Sequence, residues 1–270
     1  MTWTTLQRSK LTEHICGWRG GTGPTLLLIH GVGMQADYWS NLIPALEKHF
    51  SLLVIDMPGH GVSPLLTTAT QMIKDYSDCI AGILHSCNEP IFVAGHSMGA
   101  LISVDLAYRY SKYVQAIAVL NGVFQREASA SAAVRLRADN LDGRSTADPS
   151  LTLERWFGRD PQGLNADAAK YCKDWLSSIN PLGYRDAYRA FAYDEGPSEA
   201  TIRDIKCPAL FTTGALEPNS TPSMSISMAS LAPLGEYHVV EGARHMMSMT
   251  HGEQLSDLMM SFFQRAGVSV

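Results

Sequence analysis

Short, uninterrupted apolar runs alternate along this chain with longer stretches in which apolar positions recur every three or four residues. The runs fall at Thr25–Ile29 and at residues 51–55, 91–94, 116–120, 209–213 and 237–240. Each is too short for a stable helix and apolar on both sides of the chain, which predicts strands buried on both faces of a parallel sheet. Across residues 71–85 the apolar positions are Met72, Ile73, Tyr76, Cys79, Ile80, Ile83 and Leu84, the spacing of one helix face. A second helix is expected from just after Ser97 to about Tyr110. A last one carries Leu255, Leu258, Met259, Phe262 and Phe263. Strands and helices that alternate in this way predict a parallel sheet with helices on both faces.

After Asn121 the rhythm breaks. Residues 124–196 show helical stretches and no convincing strand. Tyr171, Cys172, Trp175, Leu176 and Ile179 share one face, and Tyr184, Ala187, Tyr188 and Phe191 share another. The expected division is therefore a core of residues 1–123 and 197–270, interrupted by a helical cap of residues 124–196. The insert holds nine of the 23 Phe, Trp and Tyr residues. Packing of helices on a sheet accounts for them, and so does the lining of an apolar pocket. It also carries Arg126, Arg135, Arg137, Arg144, Arg155, Arg159, Arg185 and Arg189. One of these is able to clamp a substrate carboxylate, but the equal supply of acids nearby makes surface ion pairing the expectation.

Composition narrows the function class. Of 270 residues 46% are hydrophobic and 17% charged, a globular mixture. The net charge of -5 is unclustered, so there is no basic stripe for nucleic acid. No apolar run approaches the roughly 18 residues needed to span a membrane, and the first residues lack the apolar stretch of a secretory signal. Cys16, Cys79, Cys87, Cys172 and Cys207 are scattered without metal or disulfide spacing. No paired-histidine motif suggests a metal. These features predict a cytoplasmic protein with a small-molecule substrate, no nucleic-acid or membrane partner and no bound metal; homo-oligomerisation is left open.

Three local patterns carry chemistry. Gly95-His96-Ser97-Met98-Gly99 follows a strand-like run and precedes a helical one, the setting of a nucleophile elbow that exposes the serine hydroxyl. His30-Gly31-Val32-Gly33 ends an earlier strand. Backbone N–H groups of Val32 and Met98 are the candidate donors to an oxyanion. His245 follows the strand at 237–240 and precedes the last helix, where a general base for Ser97 is required by chain order. His251 competes for that role from the start of the final helix, while the other histidines, His30 included, read as structural or surface residues. Glu217 is the sole acid in residues 214–219, and is the candidate partner that orients His245.

With these residues in place the chain resembles the α/β-hydrolase superfamily over nearly its whole length. Leu28-Ile29-His30-Gly31, Asp56-Met57-Pro58-Gly59-His60-Gly61-Val62-Ser63, the elbow, Ile205-Lys206-Cys207-Pro208 and the histidine segment occur in the family's order. The resemblance implies a mostly parallel eight-stranded sheet with a helical cap, and no cofactor. It implies that Asp56 shapes a loop rather than catalyses. Serine at the elbow argues against the epoxide hydrolases and haloalkane dehalogenases of this fold, which carry aspartate there. Met34, His96 and Met246 depart from the pattern of the C–C bond hydrolases. The expectation is a serine hydrolase of a small ester, lactone or activated amide, close to small esterases, enol-lactonases and aminoacrylate-type hydrolases. The alternatives are a C–C hydrolase acting on a ketone and a non-catalytic receptor on the same fold.

Overall fold

An apolar run needs cover on both sides, and the computed structural model, which describes residues 5–67 and 72–267, provides it for every run except 237–240, which forms a partly exposed edge strand. Gln71, the first residue of one expected helix, lies outside the described residues. In chain order the elements are β1 (Ser9–Lys10), β2 (Cys16–Gly20), β3 (Thr25–Ile29), α1 (Ile43–Leu46), β4 (Ser51–Asp56), α2 (Ile73–His85), β5 (Ile91–His96), α3 (Met98–Arg109) and β6 (Val114–Leu120). Then come α4 (Ala128–Asp139), α5 (Ser150–Phe157), α6 (Leu164–Ser178), α7 (Pro181–Tyr193) and α8 (Glu199–Arg203). The chain closes with β7 (Ala209–Gly214), α9 (Pro222–Leu231), β8 (Gly235–Val240), α10 (Met247–Thr250) and α11 (Gly252–Arg265).

The eight strands form one sheet in the order β1-β2-β4-β3-β5-β6-β7-β8. From β4 to β8 every pairing is parallel; β1 and β2 run antiparallel at one edge. Side chains alternate between two cores. Leu27, Ile29, Val93, Ile117 and Phe211 face α2 and α3. Leu26, Leu28, Phe92, Ala94 and Leu210 face α11 and the short turn at Tyr38 and Trp39. Six of the eight strands coincide with the apolar runs. β1 and β2 did not announce themselves, because β1 is two exposed residues long and β2 reads Cys-Gly-Trp-Arg-Gly and is only half buried.

Between β6 and β7 the described chain is helical and unpaired with the sheet. Asn180 caps α7, its side chain accepting from the N–H of Leu182 and Gly183 at 3.0 and 3.1 Å, with Pro181 preset at the first position. Gly183 then packs on the loop after β4 so closely that a Cβ would overlap the Gly59 carbonyl. Cys172 of α6 is buried against Met34 and Met249 at 3.8 and 3.5 Å. The Asp56 carboxylate organises the loop below: it accepts from the N–H of Ala36 at 2.7 Å and of Val62 at 3.0 Å, and from Arg8 at 3.3 Å. No described helix is long and apolar enough to cross a membrane.

Candidate active site

At the end of β5 the chain reverses on one residue. Ser97 has φ 57 and ψ -114, a conformation that costs a non-glycine residue on the order of 1–3 kcal/mol and persists only when its surroundings enforce it. The Ser97 N–H donates to Leu120 O at 2.9 Å. Both flanking glycines are required by crowding, since a Cβ on Gly95 would strike the Gly99 carbonyl and one on Gly99 the Ile29 carbonyl. Met98 opens α3 directly behind the serine.

Two buried histidines hold the neighbouring loop after β3. His30 Nε2 accepts the Met57 N–H at 2.9 Å while its Nδ1–H donates to Gly31 O at 2.7 Å. His60 Nε2 accepts the Gly33 N–H at 3.1 Å, and its Nδ1–H donates to Pro58 O at 3.1 Å. Each needs one lone pair, so each works only when neutral. Burial enforces that state, lowering His60 to about 4 and His30 well below the usual histidine range. Val32 sits in the loop so fixed and faces the cavity.

His245 and Glu217 meet across the ends of β8 and β7. The His245 Nδ1–H donates to Glu217 Oε2 at 2.9 Å, and Glu217 Oε1 accepts from the N–H of Asn219 and Ser220 at 2.7 and 3.2 Å. Glu217 is 3% exposed. Burial alone pushes its carboxyl up, but the attraction and hydrogen bond of His245, with the two amides, outweigh that and leave it below the usual range. With Nδ1 engaged, Nε2 is the free lone pair of the ring. The His245 carbonyl is pinned twice, by His96 Nε2 and Asn121 Nδ2, both at 2.9 Å. Trp156 of α5 stacks on the imidazole, 5.7 Å between centroids and 17° from parallel. His251 lies elsewhere, bonded to its neighbour Thr250 at 2.9 Å in a groove with Asn41 and Lys48.

Ser97, His245 and Val32 open on one cavity of about 190 Å³. Its remaining wall comes largely from the insert: Val134 of α4, Trp156 of α5, and Tyr184, Tyr188 and Phe191 of α7. Four of the insert's arginines form the ion pairs expected of them, and the three at the cavity do not. Arg135 pairs with Glu195, Arg159 with Glu154 at 2.8 Å, Arg185 with Asp186 at 2.6 Å and Arg189 with Asp139 at 3.2 Å. Arg126, Arg137 and Arg155 instead line the cavity, and none of the three has an ion pair among the described residues. Sequence spacing does not separate the two sets: Arg135 and Arg137, one from each, lie two residues apart on α4.

The roles that sequence reading did not assign are those of His96, Asn121 and Trp156. His96 was expected only as a structural or surface residue; it is fully buried and bonded to the His245 backbone. Its position before Ser97 was the available signal. Nothing local marks Trp156, which reaches His245 only through the packing of α5.

Sheet order, elbow and the contact between β7 and β8 loops define an α/β hydrolase. The chain belongs to that family: residues 24–252 match the alpha/beta hydrolase fold model, and it is a hydrolase. It is 40% identical over 245 residues to the (E)-2-((N-methylformamido)methylene)succinate hydrolase of Acinetobacter baylyi, covering 90% of this chain and 92% of that protein. A thermophilic esterase from Thermogutta terrifontis superposes with a TM-score of 0.84 at 20% identity, covering 96% of this chain and 99% of that one. The enol-lactonase from Burkholderia xenovorans superposes at 0.80 with 21% identity, covering 93% and 96%.

Proposed function

We propose that this hydrolase cleaves the acyl bond of a small ester, lactone or activated amide through a covalent acyl-enzyme on Ser97. The observation that carries the reading is the buried 2.9 Å contact between His245 and Glu217 beside a cavity that also holds the Ser97 elbow. In this scheme Ser97 Oγ attacks the carbonyl carbon and His245 Nε2 takes its proton. Glu217 stabilises the imidazolium without becoming protonated. The N–H groups of Val32 and Met98 hold the oxyanion. His245 then protonates the departing oxygen or nitrogen. A water, deprotonated by the same imidazole, hydrolyses the acyl-enzyme and releases the acid and free Ser97.

Residues 124–196 act in this scheme as a cap over the site and supply most of the substrate contacts. The relative from Acinetobacter supports an activated amide over the other two bond types. In the compound of that protein's name the amide nitrogen is conjugated through a carbon–carbon double bond to a succinate, which makes it a better leaving group than an ordinary amine. Five free cysteines accord with a reducing, cytoplasmic setting. A fluorophosphonate probe tests the scheme. Stoichiometric labelling that maps to Ser97 and disappears in Ser97→Ala is the expected result; an unlabelled wild-type protein overturns it.

A further inference from the structure

Val32 borders the Ser97 cavity, while the residues next along its loop, Gly33, Met34 and Gln35, line a second cavity of about 610 Å³. Three charged side chains share that second wall: Arg8, Asp37 and Asp56. Asp56 is fully buried and Asp37 is 3% exposed. Arg8 comes from the segment before β1 and pairs with both. Its Nε donates to Asp56 Oδ2 at 3.3 Å, and Nη1 and Nη2 donate to Asp37 Oδ1 and Oδ2 at 2.9 and 2.5 Å. The Leu6 N–H adds a bond to Asp37 Oδ1 at 2.7 Å. No other ion pair reaches either carboxylate among the described residues. Burial works against the charge of Arg8, but Asp37 and Asp56 outweigh it and hold the guanidinium above the ordinary arginine range.

What the two carboxylates hold is the loop of the oxyanion donors. The turn that contains Val32 is closed by the Met34 N–H, which donates to Gly31 O at 3.2 Å. Just past it, Gln35 Nε2 donates to Asp37 and the Ala36 N–H donates to Asp56 Oδ1 at 2.7 Å. Asp56 Oδ2 also accepts the Val62 N–H at 3.0 Å, two residues after His60, whose ring accepts the Gly33 N–H at 3.1 Å. The exit of the turn is therefore anchored on a pair of buried anions, and the pair is anchored on one cation. Buried carboxylates left without a cation repel each other, and separate or draw in water. Either response moves residues 35 and 36, and with them the turn.

We infer that Arg8 is a positioning residue for the oxyanion donors: by bridging Asp37 and Asp56 it holds the turn that presents the Val32 N–H to the Ser97 cavity. The inference rests on the acyl-hydrolase reading above for what that N–H does. It places a determinant of rate outside the cavity, in a segment of the chain that touches neither Ser97 nor His245. A displacement of about 1 Å is enough to matter, because misplacement of that size far from the chemistry costs on the order of 10²-fold.

The test follows the kinetics of fluorophosphonate labelling. Phosphonylation forms the Ser97 Oγ–P bond, expels fluoride, passes the hydroxyl proton to His245 and puts the phosphoryl oxygen in the place of the oxyanion. In Arg8→Ala the labelling rate constant at saturating probe should fall about 10- to 100-fold, with the half-saturating probe concentration changed less than about threefold. The pH midpoint of labelling should stay where it is, because His245 and Glu217 keep their contacts. Arg8→Lys keeps a charge but not the fork that spans two carboxylates, and should label at an intermediate rate. An arginine that only supported the fold would lower the melting temperature and the fraction of protein that labels, not the rate at which folded molecules label. Labelling of folded Arg8→Ala at the wild-type rate, or a shifted pH midpoint, overturns the role alone. If Arg8→Ala does not fold, labelling of Arg8→Lys at the wild-type rate does the same. An unlabelled wild-type protein overturns the acyl scheme, and this role falls with it.

Discussion

Glu217 and Arg155 are both charged groups beside one cavity, yet their surroundings are opposite. Glu217, on the core side, has each oxygen engaged: one by His245, the other by two backbone amides. Arg155, on the insert side, has a threonine hydroxyl and a second arginine for company. The core side is electrostatically complete as folded. The insert side carries Arg137 and Arg155, which have no ion pair among the described residues. In the proposed scheme this contrast separates chemistry, built on strand ends, from recognition, built on helices that pack over them, and each half should fail in its own way.

The largest effect is expected from the core. Ser97→Ala removes the attacking oxygen and little volume, so kcat should fall on the order of 10⁴-fold or more with the melting temperature preserved. A variant keeping above a tenth of wild-type turnover would end the serine scheme. Next comes Glu217→Gln, which keeps the shape and removes the charge facing His245. A kcat loss on the order of 10³–10⁴-fold is expected, with Glu217→Asp retaining part of the rate. Near-wild-type turnover in the Gln variant would reduce Glu217 to a loop residue.

On the insert side the losses should be smaller and of another kind. Trp156→Leu removes the ring stacked on His245. Aromatic pairs are worth ~0.5–1.5 kcal/mol beyond burial, so kcat/KM should drop about 2- to 10-fold. A loss as deep as that of Glu217→Gln would erase the distinction between the two halves.

The smallest effect at neutral pH, and the one that appears only in acid, concerns the histidines of the core. His60 titrates at about 4 in the folded protein against an ordinary 6.5, and His30 and His96 are shifted the same way. Between those values the unfolded chain binds more protons than the folded one, so acid favours unfolding. Stability should be level above about pH 6.5 and decline toward pH 4. A melting-temperature drop of at least ~5 °C between pH 7 and 4.5 is expected. His60→Asn, whose side chain still accepts from Gly33, should show a shallower decline. Identical slopes would remove His60 as a source.

Much of the core side was legible in sequence because its signals are local. The run at residues 91–94 followed by Gly95-His96-Ser97 specifies a strand, a turn that tolerates no Cβ on either side, and a helix. The run at 209–213 likewise set Glu217 three residues past a strand end. β1 and β2 escaped notice because neither a two-residue strand nor a five-residue one with two glycines and an arginine has an apolar period to read. The arginines escaped for a different reason. Arg135 and Arg137 are two residues apart on α4; one pairs with Glu195 and the other turns into the cavity.

The sequence by itself determined the parallel sheet, the break after Asn121 and the order serine, acid, histidine, because strand burial and helix amphipathicity are written in neighbouring residues. Only the tertiary structure decided that Glu217 and His245 meet and that Trp156 lies on the imidazole. It also decided which arginines have no ion pair among the described residues. Those outcomes depend on contacts between segments 28 to 124 residues apart, such as Glu217 with His245 and Asn121 with His245. No local period encodes such a distance; the register of β7 against β8 and the seating of Gly183 on Gly59 fix it.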